Sequence, residues 1–212
     1  MPQKLIPQTT VYRLSLYLRE LERLEKEKRY YISSRELGKL TLISEAQIRR
    51  DLSYFGKFGE TRLGYPRKVL IKNLRQILGI DNRVWKIALI GAGNLGKALL
   101  SYRGFRERGF FIKVIFDADP EKIGKNLKGI RIENIENLIP ISRKEKLDMA
   151  IIAVPAEEAQ KVALEVKKAG IKAILNFAPR RLNLPAGIIV KNVDLSMELE
   201  NISFHLKRLK CI

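Results

Sequence analysis

Cysteine and histidine are nearly absent from these 212 residues: Cys211 is the only thiol and His205 the only imidazole. One cysteine rules out a disulfide framework within the chain, and one cysteine with one histidine falls short of any zinc-ligand set, so no metal is expected. Long apolar runs are missing as well. No charge-free stretch approaches the ~20 residues of a membrane span, and the opening MPQKLIPQTT lacks the apolar core of a signal peptide. The expectation is a soluble, cytoplasmic protein with no membrane partner. Acidic residues are scarce relative to basic ones, 23 against 41, for a net charge of +18. A Lys/Glu-rich surface built for heat resistance usually balances its signs. The excess points instead to a polyanionic partner, nucleic acid before a membrane surface.

What is present is enough hydrophobic residue, 46%, for one large domain or two small ones. The first 83 residues hold 18 Lys and Arg against 9 Asp and Glu, a net of +9, and the remaining 129 also carry +9, so basic charge is denser at the front. Residues 9 to 29 place Val11, Leu14, Tyr17, Leu18, Leu21 and Leu24 at helical spacing and predict one long amphipathic helix. Ser33 stands three residues before Glu36, a capping box that starts a short helix through Leu40. Ser44 and Gln47 repeat the pattern and start a third helix, EAQIRRDLSYF. Two short helices joined by about four residues make a helix-turn-helix. The glycine-punctuated, basic GKFGETRLGYP predicts a hairpin or wing, and RKVLIKNLRQILG a closing helix ended by Gly79. Residues 1–80 are expected to form a winged-helix DNA-binding domain.

At 100° per residue, Ile48, Leu52 and Phe55 fall within about 60° of one another and face the core. Ala46, Arg50 and Ser53 lie opposite, flanked by Gln47, Arg49 and Tyr54. Arginine offers a fork to the guanine edge and glutamine to adenine, while small residues let the backbone approach the bases, so this face suits the major groove. A solvated helix carrying two arginines is the plain alternative. The wing and the cations Lys57, Arg62, Arg67 and Lys68 favour double-stranded DNA, with Ser44, Ala46, Gln47, Arg49, Arg50, Ser53, Tyr54, Lys57 and Arg62 as candidate contacts.

From Val84 the pattern becomes strands and helices in alternation. VWKIALIG, FFIKVIFD, MAIIAV, KAILNF and IIVKNV read as buried strands, with helices such as EEAQKVALEVKKAG between them, which predicts a parallel sheet covered on both faces. The first strand-to-helix turn, GAGNLG over Gly91, Ala92, Gly93, Asn94, Leu95 and Gly96, has the G-x-G-x-x-G spacing of a dinucleotide-binding turn. Gly91 allows the tight turn, Gly93 a close approach to pyrophosphate, and Gly96 the packing of helix on strand. Asp117 ends the second strand, where a carboxylate accepts from ribose hydroxyls. Ala118 follows it and not an arginine, so NAD and NADH are expected over NADP. Val154 and Pro155, and Asn176, Phe177 and Pro179, follow later strands and are candidates for an apolar wall with one amide at the nicotinamide end.

An oxidoreductase also needs a substrate domain and a proton-transfer group. Only about twenty residues follow the last strand, and His205 lies among them on a helix. The dinucleotide is therefore expected to act as a signal. A small NAD-dependent oxidoreductase with a basic tethering domain is the alternative.

With RLSLYLREL, AQIRRDLSYFGKFG, IGAGNLGKALLSY, VPAEEAQ, ILNFAPRRLNLP and NVDLSMELENISFHL, nearly the whole chain resembles the Rex family of redox-sensing repressors. The resemblance implies a homodimer with a winged helix and a Rossmann domain, which binds palindromic operators and releases them when NADH rises. The family's wing ends G-x-G-Y, and here Arg62 replaces its first glycine. The resemblance further implies a switch of Arg19, Tyr102 and Asp194. It also implies that the carboxy-terminal helix, residues 194–212 after a Rossmann domain at 84–193, is exchanged between subunits. Independently, Leu195, Leu199, Ile202, Leu206 and Leu209 are spaced 4, 3, 4, 3, a stripe that requires a partner helix or groove, or its own domain.

Overall fold

The structure is a computed structural model that describes residues 6–24, 30–59 and 63–209. It divides into two compact units, Met1–Arg83 and Val84–Ile212.

In the first unit, α1 (Gln8–Arg23) packs with α2 (Ser34–Thr41), α3 (Glu45–Ser53) and α4 (Arg67–Ile77). Leu14, Tyr17, Leu18 and Leu21 of α1 are buried against Leu37, Ile48, Leu52, Leu70 and Leu74. Val11, expected in that stripe, is exposed, and Thr10 is buried in its place. The helix ends at Arg23, earlier than the periodicity predicts, and residues 25–29 of the expected helix lie outside the described ones. Ser33 and Glu36 form the reciprocal capping box that opens α2. Leu42 then takes a left-handed conformation, φ 56°, and turns the chain into α3. At the end of α4, Gly79, φ 67°, donates to the Gln76 carbonyl and Ile80 to that of Arg75, the paired bonds of a Schellman stop.

Two expectations need correction here. Among the described residues the small sheet is not a hairpin of GKFGETRLGYP alone: β1 (Tyr31–Ile32), which precedes α2, pairs antiparallel with β2 (Tyr65–Pro66). The strand before the helix-turn-helix is two residues long, too short to show an alternating pattern. Arg67, counted among the cations that favour DNA, is 6% exposed and donates to the carbonyl of Leu24.

The second unit is a seven-stranded sheet: β3 (Trp85–Ile90), β4 (Phe110–Asp117), β5 (Asn126–Leu127), β6 (Ile130–Asn134), β7 (Met149–Ile152), β8 (Ala173–Asn176) and β9 (Ile189–Asn192). The spatial order is β5-β6-β4-β3-β7-β8-β9, parallel except for β5. Six of these strands have the order of a dinucleotide-binding sheet, and the order reverses about β3, whose neighbours are β4 and β7. Alternate residues serve the two faces. Ala88, Ile90, Phe116, Ala150 and Ile152 pack under α7 (Leu138–Glu145) and α8 (Ala156–Lys168). Ile87, Leu89, Ile115, Ile132 and Ile151 face α5 (Asn94–Ser101) and α6 (Arg103–Glu107). The β5–β6 hairpin was not anticipated, because in IRIEN charges interrupt the apolar pattern.

The last helix, α9 (Leu195–Leu209), buries none of its side chains. Its apolar stripe is not packed on its own domain in this structure. No helix among the described residues is long and apolar enough to cross a membrane, and none of their His, Cys, Asp and Glu side chains form a group of three able to hold a metal ion.

Candidate functional site

The exposed side of α3 carries Ala46, Arg49, Arg50 and Ser53, with Ser44 before it and Lys57 after it, all exposed; Tyr54 is half-buried at the helix end. The opposite side is closed by Ile48 and Leu52, 0% and 2% exposed. Arg49 is held in place, its Nη1 donating to Ser34 Oγ at 3.0 Å and Glu45 Oε2 at 3.1 Å. Ser53 Oγ donates to the Arg50 carbonyl. Arg50 stands at the middle of this face. Arg62 lies outside the described residues.

Gln47 departs from its expected place. Ser44 Oγ accepts the Gln47 N–H at 3.3 Å, but the Gln47 side chain does not return to Ser44. Its amide donates instead to Asp51 Oδ1 at 2.8 Å, so it is committed to the protein and not held out toward a base. Asp51 is the residue that helical periodicity passed over. It lies three positions after Ile48, on the core side, and is fully buried. Arg13 meets it with two bonds, Nε to Oδ2 at 2.6 Å and Nη2 to Oδ1 at 2.7 Å. Tyr17 OH donates to Oδ2 at 2.8 Å and Thr10 Oγ1 to Oδ1 at 3.1 Å. Burial alone would raise the Asp51 pKa; the hydrogen bonds of Arg13, Tyr17 and Gln47, with the Arg13 charge, outweigh it and hold the carboxyl below its ordinary value. A charged cluster thus joins α1 to α3.

In the second unit a cleft of about 920 Å³ opens at the carboxyl edge where the strand order reverses. Gly91, Gly93, Asp117, Val154 and Pro155 line it, with Ile135, Leu138 and Ile139 as further apolar wall. Gly91 has φ 102°, and a Cβ there would overlap the Ala153 carbonyl. A Cβ on Gly96 would overlap the Gly91 carbonyl oxygen, so this glycine sets how closely α5 lies on β3. At Gly93 a Cβ would meet nothing within 4 Å; the space beside it is open for a ligand. No side chain caps α5, and its first amides, at the exposed Asn94 and Leu95, face outward with the positive end of the helix. Phosphate groups suit such an end.

Asp117 Oδ2 accepts the N–H of the buried Ala92 at 2.7 Å, and Oδ1 that of Asp119 at 2.9 Å. The glycine turn and Asp117 are therefore one hydrogen-bonded piece. The expected nicotinamide wall is only partly assembled. Asn176, Phe177 and Pro179 are not among the cleft's lining residues. Asn176 is fully buried, its amide donating to the carbonyls of Ala178 and Arg180 and to Asn192 Oδ1. Its amide is taken up by the loop at Ala178 and Arg180 and by Asn192 of β9. Phe177 packs with Leu89 and Ile151 on the other face of the sheet, and Pro179 is exposed.

Of the three switch candidates, Arg19 is exposed on α1. Tyr102, 56% exposed, joins α5 to α6 with its ring edge-on to Phe105 at 5.1 Å. Asp194 accepts the Ser196 N–H at 2.9 Å and so caps α9. His205 lies on α9 and is not among the residues lining the cleft.

A "Putative DNA-binding protein N-terminus" model matches residues 5–53, and a CoA binding domain model matches residues 82–180. A redox-sensing transcriptional repressor Rex of Carboxydothermus hydrogenoformans is 45% identical over 203 residues, covering 96% of this chain and 97% of the relative. That of Pelotomaculum thermopropionicum is 45% identical over 201 residues, 95% and 94% of the two chains. Among solved structures, RSP in complex with beta-NAD+ and operator DNA superposes with a TM-score of 0.93 at 36% identity, over 98% of this chain and 95% of that one. RSP in complex with beta-NADH gives 0.87 over 98% and 97%, also at 36% identity. With a helix-turn-helix in one unit, a glycine-walled cleft in the other, and such identity across both, the chain belongs to the Rex family of redox-sensing transcriptional repressors.

Proposed function

We propose that this chain is a bacterial repressor that binds palindromic operator DNA as a homodimer in the cytoplasm and lets go when NADH outweighs NAD. The observation that carries the reading is the joining, in one chain, of a basic helix-turn-helix face to a dinucleotide cleft lined by Gly91, Gly93 and Asp117. The relatives' operator, NAD+ and NADH complexes support it. NAD carries a cationic ring and NADH a neutral one. The apolar Val154 and Pro155 favour the neutral ring, because burying an unpaired charge is costly. By linkage, NADH weakens DNA binding by the factor with which DNA weakens NADH binding. The family resemblance assigns the relay to Arg19, Tyr102 and Asp194, with Asp194 exchanging a tyrosine partner for an arginine.

Gel-shift titration with a palindromic duplex tests both parts. NADH is expected to raise the protein concentration needed for half-shift while NAD does not, and NADH should remain unoxidised throughout. Asp194→Ala should keep NADH binding yet shrink the NADH effect on the shift. Steady NADH oxidation in the presence of a carbonyl substrate would favour the oxidoreductase reading instead. A full NADH response in Asp194→Ala would remove that relay.

Base reading and phosphate binding separate on α3. Arg50→Ala should cost about 1 to 3 kcal/mol of operator binding and relax preference at one base position, whereas Lys57→Ala should weaken all sequences alike and lower the salt dependence. Binding-site selection on randomised duplexes checks this. The opposite assignment of effects would mean that the helix enters the groove on another face.

A further inference from the structure

The cleft contains a cation that the residues directly after Asp117 do not reveal. Lys122 lines it beside Asp117, Ala118 and Pro120. Its Nζ stands 3.5 Å from Asp117 Oδ2 and 3.1 Å from Asp119 Oδ2. A tight turn returns it to the site: the N–H groups of Lys122 and Ile123 donate to the Asp119 carbonyl, and Asp119 Oδ1 accepts the N–H of Glu121 at 2.9 Å. The hydrogen bond to Asp119 and the neighbouring carboxylate charges raise the Lys122 pKa, so the ammonium stays charged.

An ammonium beside the ribose carboxylate is the kind of group that holds a 2′-phosphate. Here two carboxylates surround it, and the three charges together leave the spot negative. We infer that Asp119 is a second cofactor-specificity residue: by pairing with Lys122 it keeps that ammonium from serving a 2′-phosphate. Exclusion of NADP and NADPH then rests on Asp117 and Asp119 together, and the inference depends on the reading of this cleft as the dinucleotide site.

Asp119→Asn in the full chain tests it. The asparagine amide oxygen can still accept the Glu121 N–H, so the turn is kept while the charge partner of Lys122 is lost. Calorimetric titrations with NADH and with NADPH are then compared with those of the parent. NADPH affinity should rise about tenfold, the scale of one charge-assisted hydrogen bond, with NADH changing by less than about twofold. Adding Lys122→Met should abolish the gain, and raising the salt concentration should diminish it. A ratio of NADPH to NADH affinity within about twofold of the parent overturns the inference. So does a gain that survives Lys122→Met, since loss of negative charge alone would then explain it. Failure of the parent chain to bind NADH removes the reading of the cleft itself, and the parent titration reports that outcome separately.

Discussion

Replacing Asp51 with alanine is expected to destabilise the amino-terminal unit by about 3 to 5 kcal/mol, because it strands the buried partners of a charged cluster. Arg13, Tyr17 and Thr10 on α1 and Gln47 on α3 all donate to this one carboxylate. Without it, the buried Tyr17 and Thr10 hydroxyls lose their acceptor where water reaches them poorly, while the Arg13 side chain, 23% exposed, keeps partial access to solvent. The effect should extend to DNA, since α3 is held to α1 through these bonds and Gln47 would be released toward the groove. Urea unfolding of the full chain, followed by circular dichroism, measures the loss.

The same cluster sets a pH dependence whose sign is fixed. Asp51 titrates below its ordinary value in the fold, whereas the unfolded side chain protonates near ~3.9. Its contribution is complete above the unfolded value and is lost as the pH falls through the folded one. Burial, and then the bond to Asp51, raise the Tyr17 pKa. An unfolded tyrosine ionises near ~10, so the Tyr17 contribution is complete below that pH and is lost as the pH climbs from there toward the folded value. Asp51→Ala should flatten the acid limb of the stability profile. A loss under about 1 kcal/mol with an unchanged acid limb would show that the cluster adds little beyond what water would provide.

Asp51 also shows why part of the molecule was illegible in sequence. Helical periodicity sorts residues by polarity, and a charged residue on the core side is assigned to the surface by default. Its position three residues after Ile48 was the available signal. Lys122 was hidden by a different cause, a turn closed by the Asp119 carbonyl that returns a residue five positions on to the carboxylate it started from. Asn176 misled in the opposite sense: a polar residue at the carboxyl edge of a strand looks poised for a ligand, yet loop packing consumed its amide. The glycine turn was readable because each requirement there is local: a left-handed φ at Gly91 and no room for a Cβ at Gly91 or Gly96. The place of Asp117 at the end of β4 was readable for the same reason, since the strand's apolar run stops there. The caps of α2 and α3 were visible as short-range spacing, although only the first is reciprocal.

The stripe on α9 was legible in spacing, but its partner is not written in the same stretch. Leu195, Leu199, Ile202, Leu206 and Leu209 are 64%, 67%, 54%, 53% and 68% exposed, a contiguous apolar face that a chain of this kind does not leave in water. A second copy supplies a match without any new sequence, and two recognition helices related by a two-fold axis suit a palindrome. Burial of a leucine or isoleucine side chain stabilises by about 1.5 to 3 kcal/mol, so five per subunit provide ample driving force even after association entropy. Ile202 is the middle of the stripe. Ile202→Glu replaces one such contribution with a carboxylate that must be buried unpaired or kept apart from its partner, and several kcal/mol then oppose the dimer. Sedimentation equilibrium should find the parent at twice the chain mass and the variant at the chain mass. Operator affinity should fall by roughly 100-fold or more, because each monomer engages one half-site without the other. Ile202→Leu, which keeps volume and polarity, should leave both measurements near the parent values. If Ile202→Glu stayed dimeric with full operator affinity, α9 would not be the subunit contact, and the exposed stripe would have to be covered by something other than a second copy.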